Sequence, residues 1–182
     1  AAAAIGEEVN KLLQQSETDR IKRENADYEL KKKRYAGNAA ALEALEKAHQ
    51  RNITKIRLDE IDDRLKREEE TYELQKKQLK NRHKQELLDF LGSAAERKQL
   101  RKAQAEEESR LELEHLTQLS AQLKTLIESG MFDGIQLDTQ LLSAQEKQNL
   151  VNRFEDVRTA IIGVLEVLGD GQQKTFSFAG ND

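Results

Sequence analysis

The sequence predicts an all-α chain: an elongated antiparallel helical hairpin or coiled coil with a further C-terminal helix packed on it. Three observations carry that prediction. First, the chain repeats itself: residues 19–33 read DRIKRENADYELKKK and residues 63–77 read DRLKREEETYELQKK, identical at 10 of 15 positions with an Ile21/Leu65 exchange besides. Each copy mixes charges of both signs with about one apolar residue per turn, the composition of a solvated helix. A 44-residue period adds about 66 Å of helix at 1.5 Å per residue. Second, the 182 residues include no proline, so no segment is barred from helix. Third, 35% of residues are charged and only 4% aromatic. Apolar residues so few in aromatic bulk form stripes on helices rather than one large core.

The elements follow in order. A first helix is expected from about Glu7 to Ala36, ended by Gly37-Asn38, which supplies a C-terminal cap and then a new N-cap. A second runs from about Ala39 to Leu91, with Leu42, Leu45, His49, Ile53 and Ile56, then Leu58, Ile61 and Leu65, then Tyr72, Leu79, Leu87 and Phe90 or Leu91 on its stripe. At roughly 53 residues it spans about 80 Å, and burying a stripe of that length takes a coiled coil or a hairpin. Gly92 stops it. Ser93-Ala94-Ala95-Glu96 is a capping box that starts a third helix, to about Glu128, with Leu113, Leu116, Ser120, Leu123 and Ile127 in a three-four seam.

Residues 130–142 carry dense turn signals around Asp133-Gly134. A second capping box, Ser143 to Glu146, opens a fourth helix whose face holds Leu150, Phe154, Val157, Ile161, Val164 or Leu165, and Leu168, closed by Gly169. The expected organisation is therefore an N-terminal helical extension over 1–37, a long hairpin over 38–129 turning at Gly92, an apolar turn-rich loop over 130–142, an amphipathic helix over 143–169 packed on the hairpin, and a flexible tail over 170–182. A turn centred on Gly92 sets residue i of the second helix opposite about residue 184 − i. Leu65 then meets Leu119, Ile61 meets Leu123, Leu58 meets Ile127, and Glu107 approaches Lys77.

Several function classes lose support. The net charge is −4 with both signs mixed, so there is no basic footprint for nucleic acid. The run Lys31 to Arg34 reads as a solvated helix face, with no aromatic ladder to stack bases. Without cysteine, thiol chemistry and thiolate metal sites are excluded. The most apolar stretch, 159–168, is too short for a membrane span and holds Glu166. The chain opens on four alanines and has its single methionine at Met131, which reads as a piece of a longer protein, so no signal peptide is inferred.

Two Glu-x-x-His pairs, Glu46/His49 and Glu112/His115, are half of a di-iron carboxylate signature. In the 184 − i register His115 faces the neighbourhood of Glu69, and the two pairs stand about 30 Å apart. His83, between Arg82 and Lys84, reads as a surface histidine. No glycine-rich phosphate loop, nucleophile elbow or carboxylate pair in an apolar pocket occurs. No catalytic, cofactor-binding or metal-ligating residue is assigned, no cofactor is expected, and the chain is read as a non-enzyme. The acidic run Glu106 to Glu108 falls opposite Lys76 and Lys77 in that register.

The segment 73–105, above all Arg82 to Leu87, then Phe90-Leu91-Gly92-Ser93 and Glu96-Arg97-Lys98, resembles the coiled-coil portion of phage and prophage tail tape measure proteins. The later acidic loop, the Leu141 to Glu146 helix entry and the closing Gly-Asp-Gly are similar to that family too, so that the resemblance covers roughly 60–170. It implies a structural coiled-coil protein whose helical length sets tail length, sited in the virion tail after assembly in the bacterial cytoplasm. Its partners would be tail tube or assembly proteins met through helical stripes, or further copies of itself, with no nucleic acid and no membrane. The alternative is a helical adaptor or partner-binding module of a bacterial secretion or toxin-translocation system.

Overall fold

A computed structural model describes residues 2–169, and the tail expected at 170–182 lies outside the described residues. The fold is all-α. Helix α1 spans Ala2–Arg34, α2 Ala39–Asp89, α3 Ala94–Ser129 and α4 Ala144–Leu168. Between α3 and α4 lie two short strands, β1 (Met131–Phe132) and β2 (Ile135–Gln136), and one 3₁₀ turn at Thr139–Leu141.

The breaks fall where the sequence placed them, and the caps explain why. The Asn38 carboxamide accepts the Ala41 N–H at 3.0 Å and starts α2. At the next turn the Ser93 N–H donates to the Glu96 carboxylate at 2.7 Å, while the Glu96 N–H donates back to Ser93 Oγ at 3.3 Å. The same reciprocal pair joins Ser143 and Glu146 at 2.8 and 3.2 Å. Gly92 leaves room for two neighbouring side chains. A Cβ there would lie 2.3 Å from the Phe90 ring and 2.9 Å from the Glu96 carboxylate. Asp133 and Gly134, with φ of 43° and 82°, form the two-residue turn of the small hairpin, in which Phe132 pairs with Ile135.

The chain divides into two compact units: residues up to Arg64 with Thr125–Gln148, and Leu65–Lys124 with the chain from Asn149 onward. In the first unit α1 does not project as an extension. It folds back antiparallel on the first half of α2, tied by Arg20 to Asp59 and Glu60 and by Glu24 to His49 and Asn52. Phe132, Ile135, Leu137 and Leu142 are buried in this unit, with Ile61 and Leu126 fully so. In the second unit the rest of α2 and α3 form the antiparallel hairpin, and α4 packs against α3, with its Leu150, Val157, Ile161, Val164 and Leu165 buried.

The register of that hairpin differs from the expected 184 − i. Side chains meet between 187 − i and 191 − i: Tyr72 with His115 at 187, Glu68 with Gln122, His83 with Glu107 and Glu86 with Gln104 at 190, and His83 with Glu108 at 191. Glu107 therefore reaches Arg82 and His83 instead of Lys77. The reason is the direction of helical side chains, which lean toward the N-terminus of their own helix. In an antiparallel pair the two leans are opposite in space, so partners that touch both lie further along their chains than backbone levels suggest. Arg97 donates to the Leu87 carbonyl at 184 − i, and Gln104 to the His83 carbonyl at 187 − i.

Candidate functional site

The two copies of the repeat present the same four residues at i, i+4, i+8 and i+12: Arg20, Glu24, Tyr28 and Lys32 in α1, and Arg64, Glu68, Tyr72 and Lys76 in α2. Steps of four residues keep them along one side of a helix. Each copy uses the glutamate, tyrosine and lysine in the same way. The Tyr28 ring stacks on His49 with centroids 4.2 Å apart and 16° between planes, and Tyr72 stacks on His115 at 4.2 Å and 2°. Lys32 Nζ lies 5.6 Å from the centre of the Tyr28 ring, and Lys76 Nζ 5.5 Å from that of Tyr72, within range of a cation–π contact. The Glu24 carboxylate accepts from the Asn52 amide at 3.0 Å, and that of Glu68 from the Gln122 amide at 2.9 Å.

The arginines open both faces but meet different surroundings. Arg20 lies between Asp59 at 3.2 Å and the buried Glu60 at 3.5 Å, where Glu60 Oε2 is left without a partner. Arg64 is itself buried, and its Nη1 donates to the Asp133 carbonyl at 3.1 Å and carboxylate at 2.7 Å, holding the β turn. Glu17 shares this acidic and basic cluster. Burial, and then the Glu60 charge, hold its pKa above the ordinary carboxylate value against the pull of Arg57, Arg64 and Arg20. A groove of about 310 Å³ lined by Leu12, Gln15, Asp19, Arg20 and Arg23 runs beside this end of copy one.

Near the hairpin turn the second unit carries a further polar clasp. His83 is buried, not a surface residue as its cationic neighbours in sequence suggested. Its Nε2 faces the Glu107 carboxylate at 2.8 Å and its Nδ1 that of Glu108 at 3.1 Å. Burial lowers its pKa, and the two carboxylate bonds more than offset this, so the net direction is up. His115 goes the other way. Burial against Tyr72 holds its pKa below the ordinary value, despite Glu68, Glu69, Glu73 and Glu112 nearby. Burial and the charges of Glu112, Glu73 and Glu108 push the Tyr72 phenol up to about 12.

These contacts account for the three histidines. His49 Nδ1 meets Glu24 at 3.2 Å, from the repeat and not from its own Glu-x-x-His pair. His83 holds two carboxylates at opposite nitrogens, which keeps them from converging on one point. Among the described residues no group of three or more His, Asp or Glu side chains is arranged to hold a metal ion. No described helix is long and apolar enough to cross a membrane. What the arrangement does chemically is recognition between antiparallel helices: ring on ring, amide on carboxylate, guanidinium on carboxylate. Sequence reading found the repeat but not its use. The available signal was that both copies keep Arg, Glu, Tyr and Lys at four-residue steps while their differences fall at other positions, such as Asn25/Glu69 and Ala26/Glu70. Comparison of the chain with protein-family models, curated proteins and solved structures finds no match.

Proposed function

We propose that this chain is a non-catalytic structural segment of a phage or prophage tail tape measure protein, acting in tail assembly and sited in the virion tail after assembly in the bacterial cytoplasm. The observation that supports this reading most is the duplicated pairing face. Two copies 44 residues apart each dock a following helix with the same glutamate and tyrosine, Glu24 and Tyr28 in one and Glu68 and Tyr72 in the other. A chain that grows by copying this pairing face can add helix without designing a new interface, and helix is what a length-setting protein is built from. The resemblance of residues 60–170 to the coiled-coil part of that family points the same way. Partners are then tube or assembly proteins met through helical stripes.

The test is genetic. A third copy of the 44-residue segment is inserted in frame in the gene of the complete protein, and tails are measured by electron microscopy. Lengthening by up to about 66 Å per copy, the helical rise of 44 residues, supports the reading, and an unchanged tail with normal assembly rejects it. A second reading, a helical adaptor of a secretion or toxin-translocation system, is favoured by one feature: the hairpin apex leaves Leu88 and Leu91 in solvent. Capture of a single secretion component in stoichiometric amount, with no tail particle, would select it.

A further inference from the structure

The apex of the α2–α3 hairpin differs from the rest of the chain in charge and in exposure. Residues 80–102 hold seven Lys or Arg against three Asp or Glu, a net of +4 in a chain of −4. At the end itself Leu88 is 66% and Leu91 98% exposed. The Phe90 ring lies close over Gly92, and Leu91 between them, just past the end of α2, faces solvent. The three acids are each engaged locally: Glu86 by the Gln104 amide at 2.8 Å, Asp89 by the Gln85 amide at 3.0 Å, and Glu96 by the Ser93 cap. Two of the cations are engaged as well, Arg82 with Glu107 and Arg97 with the Leu87 carbonyl. Lys80, Lys84, Lys98, Arg101 and Lys102 stand exposed around the shaft.

We propose that this apex is a docking surface for an anionic lipid bilayer, with Leu88 and Leu91 entering the headgroup–acyl boundary and the ring of lysines and arginines meeting the phosphates. The dimensions agree. Lys84 lies five residues before the end of α2 and Lys98 four after the start of α3, about 6–8 Å back from the helix ends, with Lys80, Arg101 and Lys102 about 10–14 Å back. An interfacial apolar element sinks roughly 5–10 Å, which brings these cations to headgroup level. A convex end with two leucines at its extremity suits a yielding planar surface, and like charge opposes the pairing of two such apices from two copies of the chain. The absence of a membrane-crossing helix among the described residues bears on spanning, not on surface attachment.

Flotation of the whole chain with phosphatidylglycerol-containing vesicles tests the proposal, with pure phosphatidylcholine vesicles and soluble polyglutamate as the other arms. The expected result is flotation with anionic vesicles only, weakened by raising salt from about 50 to 200 mM. The Leu88→Ser/Leu91→Ser variant, whose changes lie in solvent, should lose at least tenfold in partitioning with its helix content by circular dichroism unchanged. Failure to float with anionic vesicles overturns the proposal. So does a leucine variant that floats as well as the parent, which would mark the attraction as charge alone. Binding to polyglutamate that needs the leucines and exceeds binding to vesicles would identify an acidic protein as the partner and overturn it too.

Discussion

The two copies of the repeat share a face and differ in what surrounds it. In copy one Ile21 and Tyr28 are half-buried and Arg20 is about 39% exposed, whereas in copy two Leu65, Tyr72 and Arg64 are all buried. The stacking distance is the same in both, 4.2 Å. The shared tyrosine and glutamate therefore make the same pairing contacts in both copies, while the burial around them sets how much each contact contributes to stability. Substitutions made in parallel at equivalent positions should separate these two effects.

The largest difference is expected at the exchanged apolar position. Leu65→Ala should destabilise the protein by about 2–5 kcal/mol, as for other fully buried leucines, and Ile21→Ala by about 1 kcal/mol, since only part of its surface is removed from water. Urea denaturation monitored at 222 nm measures both, and equal losses would show that the two copies are equally buried. Next come the arginines. Arg64→Ala should cost about 2–3 kcal/mol through its two charge-assisted bonds to Asp133, and Arg20→Ala under about 1 kcal/mol, as for a partly exposed pair. A loss from Arg20→Ala as large as that from Arg64→Ala would refute this ordering. Smaller again is the stacking itself. Double-mutant cycles on Tyr28/His49 and Tyr72/His115 should each give a coupling of about 0.5–1.5 kcal/mol, and a coupling of zero in either copy would break the equivalence.

Within the second unit two histidines respond to pH in opposite senses. His83 has a folded pKa above its unfolded value of about 6.5. Its stabilising contribution is complete below that value and is lost as pH rises through the folded pKa. His115 has a folded pKa below the unfolded value. The contribution of its neutral form is present above about pH 6.5 and is lost as pH falls toward the folded pKa. Replacing His83 by Gln should flatten the alkaline side of the stability profile alone, and replacing His115 by Gln the acid side alone. Melting temperature against pH from 5 to 9 would show it, and a variant that flattened the wrong side would contradict the assigned environment.

Helix number, the breaks between helices and both capping boxes could be read from sequence because each rests on residues within four of one another, as with Ser93 and Glu96, whereas α1 begins at Ala2, ahead of the expected Glu7. The buried face of α4 was legible for the same reason, with Leu150, Val157 and Ile161 at helical spacing and found buried. What could not be read depends on the partner helix. The Arg82 and Lys84 neighbours of His83 point along other directions of α2, since successive residues turn by about 100°, and its carboxylates arrive from α3, 24 and 25 residues away. The displacement of the register beyond 184 − i follows from side-chain lean, which a count of backbone levels omits. The return of α1 on α2 was signalled by Gly37-Asn38, but a helix break does not state the angle that follows it.

The chain has no cysteine, so introduced pairs report without background. The central claim, that each repeat copy pairs antiparallel with the helix that follows it, is tested most directly with two double variants, Tyr28→Cys/His49→Cys and Tyr72→Cys/His115→Cys, treated with a short bismaleimide at low protein concentration and analysed by mass spectrometry. The account predicts an intramolecular crosslink in both variants and at similar rates. Crosslinks only between chains, or in only one of the two pairs, would contradict it.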